Sequence, residues 1–196
     1  GQYFSAVRSH PIEQSGTIDT RGGTNKLNIA FGGNMNDKLY FGFGIAVPFL
    51  NYTSAPSFTE TNPAQDSTFF YTYTADSRLN ITGTGITANF GLIYRPASWV
   101  RVGISYQLPT WFAMSESYAS SMTAYTDTAD PVSISGSTSE PYRYKMRLPM
   151  KGTASASFFI KQYGFFSIDY DIQNLGSTHF NFTDDPKFTA DENAAI

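Results

Sequence analysis

What most constrains this chain is alternation. Over long stretches every second residue is large and apolar, and the residues between are small or polar. A period of two sends successive side chains to opposite faces of a sheet, whereas a helix needs a period of about 3.6. Between 84 and 94 one set reads Thr84, Ile86, Ala88, Phe90, Leu92 and Tyr94, and the other reads Gly85, Thr87, Asn89, Gly91 and Ile93. After a turn at 95–98, Val100, Val102, Ile104, Tyr106 and Leu108 oppose Arg101, Gly103, Ser105 and Gln107. The two runs read as an antiparallel hairpin.

The pattern recurs on both sides. Leu27, Ile29 and Phe31 lead through a turn at 34–38 to Phe41, Phe43, Ile45 and Val47. Further on, Tyr142, Tyr144, Met146, Leu148 and Met150 continue through Ala154, Ala156, Phe158 and Ile160 to a turn at 161–164. Phe166, Ile168, Tyr170 and Ile172 return. This spacing predicts strands within 27–175, with short turns near Asn36, Ala97 and Gln162. Long polar loops are expected at 51–80 and 113–140, and the segments 1–26 and 176–196 read as further loops.

Composition narrows the class. Aromatic residues make up 16% of the chain and charged residues 15%, where soluble domains carry about 25% charge. The mean hydropathy is nonetheless −0.26, because Ser, Thr, Asn and Gly fill the alternate positions. No apolar run is long enough for a membrane helix, which needs about 18 residues or more. Barrel strands need only about 9–11 residues, every second one polar, and so escape that criterion. Without cysteine there is no disulfide frame or thiolate metal site, and a net charge of −3 offers no basic footprint for nucleic acid. Residues 1–10 lack the basic head and apolar core of a signal peptide, and both ends read as cut from loops, so a section of a longer chain is expected.

A soluble β-sandwich or lipocalin-like barrel with its apolar face inward would show the same alternation. Two features favour a membrane barrel. The polar face is rich in Gly, Ser, Thr, Asn and Arg, as a wet lumen would be. Tyr40, Tyr94, Trp99, Trp111 and Tyr142 fall near strand ends, as an interfacial girdle would place them. Short turns on one rim, periplasmic, and long loops on the other, extracellular, complete the expectation. The predicted fold is therefore all-β, an antiparallel up-and-down transmembrane β-barrel of which about six strands are present.

Four segments then resemble the FadL/TodX family of outer-membrane transporters for long-chain fatty acids and hydrocarbons. They are LNIAFGGNMNDKLYFGFGIAV from Leu27, GTGITANFGLIYRPASWVRVGISYQLPT from Gly83, YRYKMRLPMKGTASASFF from Tyr142, and YGFFSIDYDIQNL from Tyr163. Their order and spacing match the family's central section and cover most of 27–175. The resemblance implies a larger barrel of roughly 14 strands, plugged by an N-terminal hatch. Neither the hatch nor the closing strands are found in this sequence. It further implies passive uptake of hydrophobic compounds such as long-chain fatty acids across a bacterial outer membrane, in contact with lipid and lipopolysaccharide. No catalysis, cofactor or metal is implied. The alternatives are a barrel with another role (porin, adhesin or secretion-associated) and a soluble β-sandwich binding module.

Arg101, Gln107, Arg143, Lys145, Arg147, Trp111 and Phe112 are the candidate ligand contacts. Arg143, Lys145 and Arg147 share one strand face and could attract a carboxylate. They could equally be a solvated wall neutralised by Asp169 and Asp171 on the return strand, and the weak energetics of exposed pairs favours that reading. Phe58, Phe69, Phe70, Trp111 and Phe112 could line an apolar pocket in the long loops or pack those loops. Pro48, Pro109 and Pro149 remove ladder donors and mark bends, bulges or strand ends. His10 and His179 are isolated, and Gly42-x-Gly44 and Gly83-x-Gly85 sit in strands rather than before a helix, so neither is a dinucleotide fingerprint. Asp184, Asp185, Asp191 and Glu192 could hold calcium loosely but read better as solvated acidic loop.

Overall fold

The computed structural model describes residues 11–63, 71–126, 130–182 and 185–195. Among them are ten strands: β1 (Glu13–Met35), β2 (Leu39–Thr61), β3 (Thr72–Ala97), β4 (Val100–Gln107), β5 (Thr110–Tyr125), β6 (Val132–Ser137), β7 (Tyr142–Leu148), β8 (Lys151–Ile160), β9 (Gly164–Gln173) and β10 (His179–Asn181). A single 3-10 turn (Leu175–Ser177) precedes β10, and one α-helix, α1 (Pro186–Ala194), follows it. The protein is mostly antiparallel β-sheet, the all-β class expected.

The chain divides into two compact units. The first takes in 1–23, 51–82 and 115–142. It holds polar strand: β6 pairs β5 from Ala119↔Ser137 to Ala124↔Val132. These stretches correct the sequence reading, which took 13–26, 51–61, 72–80 and 113–125 as loop, and 132–137 likewise. Their polarity hid their conformation. Thr and Tyr favour strands as strongly as aliphatic residues do, and here their hydroxyls bond across the ladder. Thr59 meets Thr74 at 3.2 Å, Thr61 meets Thr72 at 3.2 Å, and Thr123 meets Ser133 at 2.7 Å. Each such pair contributes roughly 0.2–1 kcal/mol, so a sheet can persist without an apolar face.

The second unit takes in 24–50, 83–114 and 143–196. Its ladder runs in sequence order, β1 on β2, β2 on β3, β3 on β4 and β5, β4 on β8, β5 on β7, β8 on β9 and β7 on β10. If β4 with β5, β7 with β8, and β9 with β10 are each read as one interrupted strand, this is a six-strand meander. Among the described residues β1, β6, β9 and β10 each have a single partner, so the meander stays open at β1 and at β9 with β10. The registers follow the period-two phase: Phe90↔Tyr106 and Leu92↔Ile104 between β3 and β4, Val102↔Ala156 between β4 and β8, Ala156↔Ile168 between β8 and β9.

The short turns explain these registers. Lys38 N–H donates to Met35 O at 3.1 Å, with Asn36 and Asp37 at φ of 54° and 53°. Two left-handed residues at the centre of this turn match the twist of the flanking strands, and Asn and Asp tolerate that region better than most residues. At the β8–β9 turn Tyr163 N–H donates to Ile160 O, and Lys161 sits at φ 43° with no such tolerance. Lys161→Gly should therefore raise stability by about 0.5–1 kcal/mol, read as a higher urea midpoint. An unchanged or lower midpoint would refute the strain at this turn.

Two prolines interrupt the meander. Pro109 separates β4 from β5 and Pro149 separates β7 from β8, while Pro48 stays inside β2, buried. The single strand expected over 142–160 is thus two. The pairing expected for its basic part also changes. β9 pairs only β8, and Arg147 and Lys145 of β7 lie opposite His179 and Asn181 of β10. The 176–196 stretch, expected as loop, carries β10 and α1. Asp185 caps that helix by accepting from Phe188 N–H at 2.9 Å, and Pro186 at its first turn loses no bond.

Candidate functional site

In the second unit the two faces of the sheet differ in kind. On β2, Phe41, Phe43, Ile45 and Phe49 are exposed, while Gly44, Ala46 and Pro48 between them are buried. On β3, Ile86, Phe90, Leu92 and Tyr94 are exposed, while Gly83, Gly85 and Thr87 are buried. Leu27, Ile29 and Phe31 of β1, Val102, Ile104 and Tyr106 of β4, and Phe166, Ile168, Tyr170 and Ile172 of β9 extend the exposed apolar set. Among the described residues the buried hydrophobic side chains are only Ala46, Phe112, Met114 and Phe182. On β2 and β3 an apolar face in the open over a covered face of small residues reverses the order of a soluble sandwich, while β9 is exposed on both faces.

The covered face is shaped by close approaches that only glycine allows. A Cβ on Gly85 would lie 2.9 Å from both Phe112 Cδ1 and Trp111 O, and one on Gly83 would run into Met114 Sδ. Phe112 and Met114 reach that face because Pro109 shifts the phase. Before it the exposed apolar residues of β4 are even-numbered, Val102, Ile104 and Tyr106. After it Trp111 is exposed, and Thr110, Phe112 and Met114 are buried. One extra residue is taken up at a position that cannot donate to the ladder. The Thr87 hydroxyl donates to Leu108 O at 3.0 Å beside the break.

A hollow of about 390 Å³ gathers Asn89, Ser105, Gln107, Lys151 and Thr153 from this face, with Gly42 and Gly91 in its wall and Phe31, Phe43, Phe90 and Tyr106 also lining it. Gln107 is opposite both Asn89 on β3 and Lys151 on β8, so the register assembles the set. Lys151 Nζ is 2.9 Å from Asp171 Oδ2, and the Thr153 hydroxyl donates to Asp171 Oδ1 at 2.6 Å. Both partners of the ion pair are substantially exposed, so solvent screens it and it adds little to stability. On the open face a hollow of about 550 Å³ is apolar, lined by Phe41, Phe43, Phe90, Leu92, Ile104 and Tyr106.

The structure separates the candidate contacts. Gln107 lines the polar hollow. Arg101 sits opposite Ser157 with its guanidinium carbon 4.5 Å from the centre of the Phe159 ring, a cation–π contact. Trp111 and Phe112 belong to β5 rather than to a loop and point to opposite faces. Arg143, Lys145 and Arg147 are exposed on one side of β7. The other side carries Tyr144, whose ring is 5.1 Å from Phe182 and 6.2 Å from Phe180, and α1 closes over this cluster with Phe188 4.8 Å from Phe182. Among the described residues no carboxylate pairs with these three cations, and Asp169 lies opposite Ser155 instead. The neutralisation expected of Asp169 and Asp171 falls on Lys151 alone, because β9 pairs β8 and not β7.

Phe58 packs against Tyr73 at 6.0 Å in the first unit. Phe69, Phe70, His10 and Asp184 lie outside the described residues. Among those described, no group of three His, Asp or Glu could hold a metal. Asn89, Ser105 and Thr153 were not singled out from the sequence. The available signal was their phase: each alternates with the apolar set as Gln107 does.

No protein family matches this chain, and no curated protein is significantly similar to it.

Proposed function

We propose that this chain forms part of the wall of a bacterial outer-membrane β-barrel through which hydrophobic compounds pass by diffusion. The observation that carries the proposal is the exposed apolar face of the second unit. On β2 it runs from Phe41 to Phe49 and on β3 from Ile86 to Tyr94, lengths that match the roughly 9–11 residues of a barrel strand crossing a bilayer. In water such a face would be a large aggregation hazard. Against lipid it is solvated, and the small-residue face with its polar hollow becomes the lumen side. Trp99 and Trp111, both exposed, suit the two interfaces. The open edges of β1 and β9 call for further strands to close the wall.

The resemblance of four ordered segments to the FadL/TodX family supports transport of long-chain fatty acids or hydrocarbons over a structural role. No reaction is required of the site: a solute would move from apolar to polar surroundings along the lumen. The test is expression of the intact protein in a Gram-negative host, followed by fractionation and uptake of a labelled hydrophobic compound. The proposal expects the protein in the outer-membrane fraction and several-fold faster uptake. Recovery in the soluble fraction would sink the barrel, and unchanged uptake by correctly inserted protein would sink transport.

A further inference from the structure

The polar hollow on the small-residue face is not built like a carboxylate site. Beside Phe31, Phe43, Phe90 and Tyr106, its polar side chains are two amides, Asn89 and Gln107, two hydroxyls, Ser105 and Thr153, and one cation, Lys151. The cation is already engaged. Asp171 Oδ2 lies 2.9 Å from Lys151 Nζ, and Asp171 also takes the Thr153 hydroxyl proton at 2.6 Å. Asp169 sits two residues away on the same face of β9, opposite Ser155. An incoming carboxylate would meet the Lys151 charge paired, with Asp171 beside it as a like charge, and would have to shed its hydration. The amides, by contrast, offer both donors and acceptors. Among the described residues the side chains of Asn89, Ser105 and Gln107 take part in no hydrogen bond of the fold.

We infer that this hollow takes the uncharged hydrogen-bonding end of an otherwise apolar solute, a hydroxyl, amide or carbonyl group, in preference to a carboxylate. The inference rests on the transport reading and selects among its solutes. Neutral donors and acceptors complement the open amides and lose little on leaving water, and nothing in the pocket repels them. The apolar remainder of the solute lies along the glycine-lined wall at Gly42 and Gly91, where no side chain intrudes.

The test is calorimetric titration of the intact, detergent-solubilised protein with dodecanol and with dodecanoate at neutral pH. Dodecanol should bind about tenfold more tightly, the scale of one partly screened charge contact. Asp171→Asn frees Lys151 and should erase or reverse that ratio, whereas Gln107→Leu and Thr153→Val should weaken dodecanol binding several-fold. Dodecanoate binding as tightly as dodecanol to the unaltered protein overturns the inference and leaves transport standing. A dodecanol preference that survives both Asp171→Asn and Gln107→Leu is partitioning into the micelle and also overturns it. Binding of neither probe overturns the inference and the transport reading together.

Discussion

Ile104→Arg should abolish insertion of the protein into a bilayer. Ile104 is 61% exposed in the middle of the apolar face, opposite Leu92 on β3 and Ala154 on β8. A guanidinium at the midplane of a barrel's lipid face costs roughly 2–4 kcal/mol, a large share of the net stability of a protein of this size. The control is Ile134→Arg. Ile134 is equally open, at 64%, but belongs to β6 in the polar first unit. There the same substitution should stay within about 0.5 kcal/mol, as exposed positions do. Assembly into vesicles followed by proteolysis reads the difference. An Ile104→Arg protein that folds in buffer without detergent would place this face against water and end the membrane reading.

The second large effect is expected at Phe112. Its side chain is 6% exposed and fills the space above Gly85, where no Cβ could sit. Phe112→Ala should cost about 3–5 kcal/mol, because β-sheet backbone cannot collapse into the vacated volume. Trp111→Ala, one residue earlier, should cost well under that, since its ring is 48% exposed on the opposite face. Urea unfolding in vesicles gives both numbers. A larger cost at Trp111 would mean that Pro109 does not shift the phase of the strand, and equal costs would mean that neither face is covered; either result ends the description of the covered face.

Much of this was legible from residue order. Alternation assigned Phe90, Leu92, Val102 and Ile104 to one face and Gly91, Gly103 and Ser105 to the other, and the structure keeps those sets. The turns at Asn36, Ala97 and Gln162 could be read because they combine Asn, Asp, Pro, Gly or Lys with a reversal of chain direction between apolar runs. The polar strands of the first unit could not be read in the same way. Thr59, Thr61, Thr72 and Thr74 look like loop composition until a partner strand supplies the hydroxyl that each one bonds.

The candidate site was legible only in pieces. Gln107, Lys151 and Asp171 were all visible as polar residues in phase. That Asp171 would serve Lys151 and not Arg143, Lys145 or Arg147 depends on which half of an interrupted strand β9 pairs with, and Pro149 decides where that interruption falls. Trp111 and Phe112 looked like one aromatic pair. As neighbours in a strand they must point to opposite faces, and the extra residue at Pro109 decides that Phe112 rather than Trp111 takes the covered one.

The alternation of large apolar with small residues thus determined, unaided, that the chain is a sheet with two unlike faces, since side-chain direction in a strand follows from backbone geometry alone. Which face is open and which is covered is a different matter. It depends on the contacts of residues far apart in sequence, Gly85 with Phe112 and Gly83 with Met114, and on the register that brings Asn89, Gln107 and Lys151 together. A period of two is symmetric between the faces, and only tertiary packing breaks that symmetry.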